Sequence, residues 1–245
     1  MARMRSFLGS LLFALFQAVL TFFFVPLALC FFWMSPFSRY RLLLWWPRLN
    51  LWAARWLCGI RHRVIGLENI PDGALPHIVL PKHSSTWEVL AIPLLMPRPL
   101  CFVAKKELLR IPFFGWGFSL AKPITIDRQS GSQAMQQIYT QGETRLSEGF
   151  WIILFPEGTR VPPGQHQRYK TGGARLASML NVPVLPIAHN AGYLWPRGIF
   201  GKKSGTITLS IGKPVASEGK EPHQIMHEVE QWIENELSRI GKPEK

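Results

Sequence analysis

A chain of 245 residues has room for one ordinary α/β domain with some extra structure, or for two small domains. Its 28 Lys and Arg against 15 Asp and Glu give a formal charge of +13, which calls for an anionic partner. No Asp or Glu precedes Glu68, and the arginines of that region sit beside long apolar runs instead of in polar patches. That arrangement favours a membrane surface and sets nucleic acid aside. The three cysteines, Cys30, Cys58 and Cys101, lie in apolar contexts without metal-ligand spacing, which suits a reduced compartment and gives no disulfide framework.

The first predicted element is apolar. No charged residue occurs from Ser6 to Ser38, and Phe7 to Met34 is rich in Leu and Phe. As one helix those residues would extend about 42 Å, against a hydrocarbon core of about 30 Å. Pro26 offers a kink or break within it. A cleavable signal is disfavoured, because the apolar run is too long and no small-x-small site follows before Arg39.

In the next stretch, RYRLLLWWPRLNLWAARWLCG, Arg41, Arg48 and Arg55 recur every seven residues, while Leu42, Trp45, Trp46, Trp52 and Trp56 cover much of the remainder. Tryptophan with arginine describes a helix at the headgroup level; a surface helix packed on the domain by its tryptophans is the alternative. Arg3 and Arg5 precede the apolar run and six arginines follow from Arg39 to Arg63. The positive-inside rule then puts the rest of the chain in the cytoplasm. One tilted span and a re-entrant or in-plane hairpin both fit. The expected organisation is a membrane-associating helical segment over residues 1–60 and a single domain over 61–245.

Beyond residue 61 short apolar runs alternate with amphipathic stretches. His77 to Pro81, Leu100 to Ala104, Ile124 to Asp127, Trp151 to Phe155, Val182 to Ala188 and Thr206 to Ile211 read as strands. Helical patterns fall near Ser85 to Leu95, Ser132 to Ser147, Gly173 to Leu180 and Pro222 to Ile240. Such alternation predicts the α/β class, with a largely parallel sheet flanked by helices and ligands at the carboxyl ends of strands.

The stretch KHSSTWE, Lys82 to Glu88, follows the first of these strands. In one continuous helix a five-residue step turns about 140°, so His83 and Glu88 would point apart. Ser85 and Glu88 have capping-box spacing, so a helix beginning at Ser85 leaves His83 in the preceding loop and lets the two side chains meet. Glu88 then either caps the helix alone or works with His83 on one proton. Other polar residues also appear where strands stop: Arg128 after ITID, and FPEGTR, Phe155 to Arg160, after WIIL. Their repeated placement at strand ends favours one shared site and the working pair.

HSSTWE, ITIDR, FPEGTR and VPVLPIA stand in the order and approximate spacing of the four motifs of the glycerolipid acyltransferases. Over residues 61 to 215 the chain resembles that family, specifically its bacterial lysophosphatidic acid acyltransferase group. The first motif more usually ends in Asp, and Pro123 stands ahead of ITIDR where the pattern often has a small residue.

The resemblance implies acyl transfer from acyl-CoA or acyl carrier protein to the sn-2 hydroxyl of 1-acyl-glycerol-3-phosphate, with no cofactor. The membrane side would be the cytoplasmic face of the bacterial inner membrane. A neutral histidine oriented by a carboxylate suits removal of the alcohol's proton, which makes His83 the expected base and Glu88 its partner. The family reading gives the acceptor's phosphate to Arg160 and Arg128 through charge-assisted hydrogen bonds. Glu157 would contact the glycerol portion or position Arg160, Gly158 would admit the ligand to the backbone, and Thr159 is a further substrate-binding candidate of the same motif. Lys105, Lys106 and Lys170 are further cationic candidates for the phosphate or the donor. IPFFGWGF, Ile111 to Phe118, could line an acyl groove or pack in the core.

Other readings are weaker. Another lyso-lipid acceptor, such as a lyso-ornithine lipid, would use the same chemistry. A noncatalytic anionic-membrane-binding protein explains the first third of the chain but not the strand-end residues. Ser119, in GFSLA, precedes a strand instead of lying between a strand and a helix, unlike a hydrolase nucleophile. His223 and His227 have a metal-binding spacing without further ligands nearby.

Overall fold

The computed structural model describes residues 2–126 and 133–243. The apolar run forms one helix, α1 (Ala2–Leu29), that continues three residues past Pro26. Ser35 caps α2 (Pro36–Leu43), with Pro36 in the first turn, where a missing N–H costs little. The stretch read as a single Arg/Trp helix is two, α2 and α3 (Trp45–Cys58). Pro47 explains the break, since it has no N–H for the carbonyl of Leu43. Gly59, in the left-handed region at φ 68°, ends α3 and turns the chain into the domain.

The domain continues with β1 (Ile60–Ile65), β2 (Ile78–Pro81), α4 (Trp87–Ala91), β3 (Leu100–Lys105), α5 (Phe114–Leu120), β4 (Ile124–Ile126), α6 (Gln133–Ser147) and β5 (Trp151–Ile153). It ends with α7 (Gly172–Leu180), β6 (Val184–His189), β7 (Gly205–Ile211) and α8 (Pro222–Ile240). The seven strands order as β1-β7-β6-β2-β5-β3-β4. Neighbours pair in parallel except β6 with β7. The sheet is therefore mixed but mostly parallel, with helices packed on it, as the alternation of elements implies.

Strand β1 was absent from the predicted elements. Its sequence, IRHRVI, is charged and largely exposed because it forms the sheet edge against β7. The central strands β2, β5 and β6 are wholly buried, as expected of parallel strands covered on both faces. Pro186 sits within β6. Val184 donates to Val215 on the side away from β2, and Pro186 faces the same side two residues on. Its missing N–H falls just beyond the end of β7, where no strand asks for it.

Helix α7 approaches β2 so closely that a Cβ at Gly173 would lie 2.6 Å from Leu80 Cδ2. A reciprocal Glu221–Gln224 capping box and Pro222 start α8, which buries Ile225, Met226, Val229 and Ile233. The helical segment before β1 shares this core through Phe13, Ala53 and Ala54, and the Tyr40 hydroxyl accepts from Leu100 N at 3.0 Å. One side of α1 packs on α3 and α5; Met4, Leu8, Leu12, Leu15, Val19 and Phe23 remain exposed along the other.

Candidate active site

Strand β2 stops at Pro81, and the next seven residues build the centre of the site. His83 Nδ1 lies 2.8 Å from Glu88 Oε1. A carboxylate only accepts, so Nδ1 carries a proton toward Glu88, and in the neutral ring the lone pair is on Nε2. The same Oε1 accepts from the backbone N–H of Ser84 and of Ser85, at 3.1 and 3.0 Å. Glu88 thus caps the turn and binds His83 at once, and the two readings of this carboxylate are compatible.

The helix starts at Trp87, two residues later than the Ser85 start expected from sequence. Ser85 Oγ instead accepts from Trp87 N at 3.1 Å and donates to Trp195 O at 2.6 Å, which holds the turn open ahead of α4. The His83 ring stacks on Phe155 with centroids 3.9 Å apart.

The FPEGTR loop after β5 grips His83 by its backbone. Glu157 Oε2 accepts from His83 N at 2.6 Å, and Val161 N donates to His83 O at 2.8 Å. Glu157 is fully buried, with Oε1 2.8 Å from Lys82 Nζ. In this structure both carboxylate oxygens of Glu157 face Lys82 and the backbone of His83, so the side chain helps to seat the histidine. Burial pushes the Glu157 carboxyl up, against the pull of Lys82 and His83 N–H. Lys82 itself is buried, bridges Glu234 of α8 at 3.1 Å and lies over the Tyr169 ring.

Two groups here were not singled out in the sequence. Lys82 is one; the other is His189 at the end of β6. His189 Nε2 donates to Lys82 O at 2.8 Å and lies 3.8 Å from Glu88 Oε2, an oxygen with no hydrogen-bond partner among the described residues. Its Nδ1 accepts from Ala191 N. Complete burial holds the His189 pKa below its ordinary value, so the ring is neutral. Each stands at the end of an apolar run, Lys82 after IVLP and His189 after VLPIA, and that position was the sequence signal they offered.

His83 lines a cleft of about 730 Å³ together with Thr86, Lys105, Phe155, Gly158, Thr159, Arg160, Lys170 and Arg197. Arg160 Nη1 donates to Thr86 Oγ1 at 2.7 Å, which fixes the guanidinium over the start of α4. Gly158 has φ 71°, and a Cβ there would lie 3.1 Å from Lys170 Nζ. Lys105 joins the lining but Lys106, next along, does not. Arg128 lies outside the described residues, as does Asp127, the last residue of the predicted strand. Of the IPFFGWGF stretch, Phe114 and Phe118 line the cleft, while Ile111 and Trp116 are exposed. Ser119 is spent on Trp116 O within α5, and His223 and His227 lie on the exposed face of α8.

A second, apolar cavity of about 160 Å³ shares Val89, Phe102, Phe114 and Phe118 with the cleft and runs toward Val25, Tyr40 and Trp46 of the N-terminal helices. The site therefore combines a histidine–carboxylate pair, cations and an apolar extension.

An acyltransferase family model matches residues 61–190. A 1-acyl-sn-glycerol-3-phosphate acyltransferase of Pseudomonas aeruginosa is 42% identical over 227 residues, covering 91% of this chain and 84% of that one. The human 1-acyl-sn-glycerol-3-phosphate acyltransferase alpha is 30% identical over 183 residues, 73% of this chain and 63% of that one. The crystal structure of a 1-acyl-sn-glycerophosphate acyltransferase from Thermotoga maritima shares the fold, with a TM-score of 0.78 at 23% identity over 99% of this chain and 100% of that one. With its fold, its motifs and these relatives in agreement, the chain belongs to the acyltransferase family and is an acyltransferase.

Proposed function

We propose that this enzyme moves a fatty acyl group from acyl-CoA or acyl carrier protein to the sn-2 hydroxyl of 1-acyl-glycerol-3-phosphate, giving phosphatidic acid. The observation that carries this reading is the 2.8 Å His83–Glu88 contact on the wall of a cleft that is cationic on one side and apolar on the other. The names of the relatives support lysophosphatidate as the acceptor.

In this reading His83 Nε2 takes the proton of the acceptor hydroxyl as its oxygen attacks the thioester carbonyl. Glu88 orients the ring and stabilises the imidazolium. Collapse of the tetrahedral intermediate breaks the C–S bond, and the leaving thiolate takes the proton back from Nε2. The acyl group passes directly to the acceptor, without an acylated side chain.

Arg160 holds the phosphate from a fixed position above α4, with Lys105 and Lys170 adding positive charge and Arg128 the remaining candidate. Gly158 and Thr159 present the loop backbone beside it. Lys106 stands outside the cleft and serves at most the headgroup of a bulky donor. The acyl chain takes the apolar extension toward α1 and α2, bounded by Phe102 and Phe118.

The helical segment supports an in-plane seat in one leaflet, on the cytoplasmic face of the bacterial inner membrane. Helix α1 is long and apolar enough to cross a bilayer, yet it contacts the domain along its length. Ser6 Oγ donates to Lys202 O at one end, and near the other Val25 packs on Gly117 and Phe22 on Phe113. A helix held so against the domain presents its outer face to lipid without carrying either end across.

The test is acyl transfer by the purified full-length protein with a matrix of acceptors and donors. Lysophosphatidate is expected to exceed lyso-ornithine lipid and acceptors without phosphate in kcat/KM with at least one donor. Equal use of acceptors regardless of phosphate would contradict the assignment.

A further inference from the structure

The loop between Trp195 and β7, sequence PRGIFGKKS, carries two large apolar side chains outward. Ile199 is 59% exposed and Phe200 is 47% exposed. Glycines with positive φ bracket the pair, Gly198 at 110° and Gly201 at 90°, so the chain doubles back and leaves Ile199 and Phe200 at its tip.

The loop is fixed rather than free. Lys203 N donates to Leu194 O at 2.8 Å and closes its base. Lys202 turns inward, where its ammonium donates to Ile199 O at 2.6 Å and lies over the rings of Phe13 and Trp195. Burial lowers the Lys202 pKa. The lysine that could have faced water thus braces the tip, and the two residues left facing out are apolar.

The tip also belongs to a larger surface. Phe200 stacks on Phe7 of α1 at 5.0 Å and 15°, and Lys202 N donates to Ser10 Oγ at 3.1 Å. On α1 the neighbouring Met4, Leu8 and Leu12 are exposed, and so are Trp52 and Trp56 of α3, the helix that packs on α1. A Cβ at Gly9 of α1 would meet Leu57 O of α3, and Gly205 N bonds Gly59 O, so α1, α3 and the end of this loop are immediate neighbours.

We infer that the loop 196–204 is a second membrane-contact surface, which inserts Ile199 and Phe200 into the same bilayer leaflet as the outer face of α1. The inference rests on the in-plane reading of α1 given above. Lipid is the partner favoured by chemistry. The patch is continuous with a helix apolar enough for a membrane, tryptophans border it, and the cations Arg197 and Lys203 flank the tip at the level where anionic headgroups would lie.

The same segment reaches the site. Trp195 O takes the Ser85 hydroxyl ahead of α4, and Arg197 lines the cleft. Seating the loop in the bilayer therefore sets one wall of the cleft mouth at the membrane surface, where a lyso-lipid can enter without leaving its leaflet.

The experiment places an environment-sensitive fluorescent amino acid at position 199, 15 or 213 of the full-length protein. Position 15 reports the outer face of α1, and position 213 lies beyond the opposite end of β7. Each protein is bound to vesicles of phosphatidylcholine and phosphatidylglycerol with or without bromine on the acyl chains. The expected result is a blue shift and bromine-dependent loss of emission at 199 and at 15, with neither at 213. Quenching at 15 without quenching at 199 overturns the loop inference and leaves the α1 reading standing. Quenching at neither position overturns both.

Discussion

Arg160 is held in the cleft by its 2.7 Å hydrogen bond to Thr86 Oγ1, beside the turn that carries Glu88. A charge-assisted hydrogen bond contributes about 1.5–3 kcal/mol, so Arg160→Ala is expected to lower kcat/KM for lysophosphatidate roughly ten- to a hundredfold. Arg160→Lys should restore only part of this, since a lysine ammonium cannot reproduce the planar fork of the guanidinium. Steady-state kinetics at varied acceptor concentration make the check; unchanged acceptor kinetics in a folded Arg160→Ala protein would remove Arg160 from phosphate binding. Sequence alone could name this arginine because FPEGTR is a dense local signal. It could not show that Glu157 of the same motif also holds the backbone of His83, because that partner lies 74 positions away along the chain.

At the level of elements, the ends of β2 and β6 are joined by His189, whose Nε2–H serves Lys82 O. Replacing it by Leu strips a buried carbonyl of its donor, a loss of about 1–3 kcal/mol. The ring also gives stability a pH dependence. Its pKa is lowered in the folded protein from 6.5, so the unfolded chain binds the proton more readily. The stability it contributes is present above pH 6.5 and is lost as pH falls below that value toward the folded pKa.

The raised carboxyl of Glu157 has the opposite sign, favouring the fold below its ordinary 4.5 and losing that contribution as pH rises through the folded value. His62 and His77 are lowered like His189. Comparison with His189→Gln isolates the one ring. Thermal melts in detergent should show the wild-type melting temperature falling more steeply than the variant's between pH 7 and 5. Parallel curves would assign the dependence elsewhere.

The legibility of the elements follows the same division between local and distant causes. Helix α8 matched its expected span because its cap, first-turn Pro and apolar face are all local. Strand β1 was unreadable because an edge strand needs no apolar alternation once a neighbour supplies its ladder. The two-residue delay in α4 reflects Ser85 bonding to Trp195, a partner 110 residues away.

For the whole molecule, composition and order of elements carried the architecture: a basic, apolar-led segment followed by alternating strands and helices became a mostly parallel sheet with an exposed apolar helix against it. What the sequence could not express is the side-by-side placement of α1, the cleft and the apolar extension between them, because that depends on packing across the full chain. In the reading proposed above, the exposed face of α1, the apolar cavity and the His83–Glu88 pair would form one path from bilayer to chemistry.

The claim at its centre is that His83 and Glu88 handle the proton. The most direct measurement is the turnover of folded, membrane-bound His83→Ala and Glu88→Gln with lysophosphatidate. Loss of a positioned base costs about 10² to 10⁴ in rate, so His83→Ala should lose that much. Glu88→Gln should also be impaired, because an amide does not stabilise the imidazolium as a carboxylate does, whereas Glu88→Asp should retain activity. Wild-type turnover in Glu88→Gln would reduce Glu88 to a helix cap, and wild-type turnover in His83→Ala would contradict the mechanism.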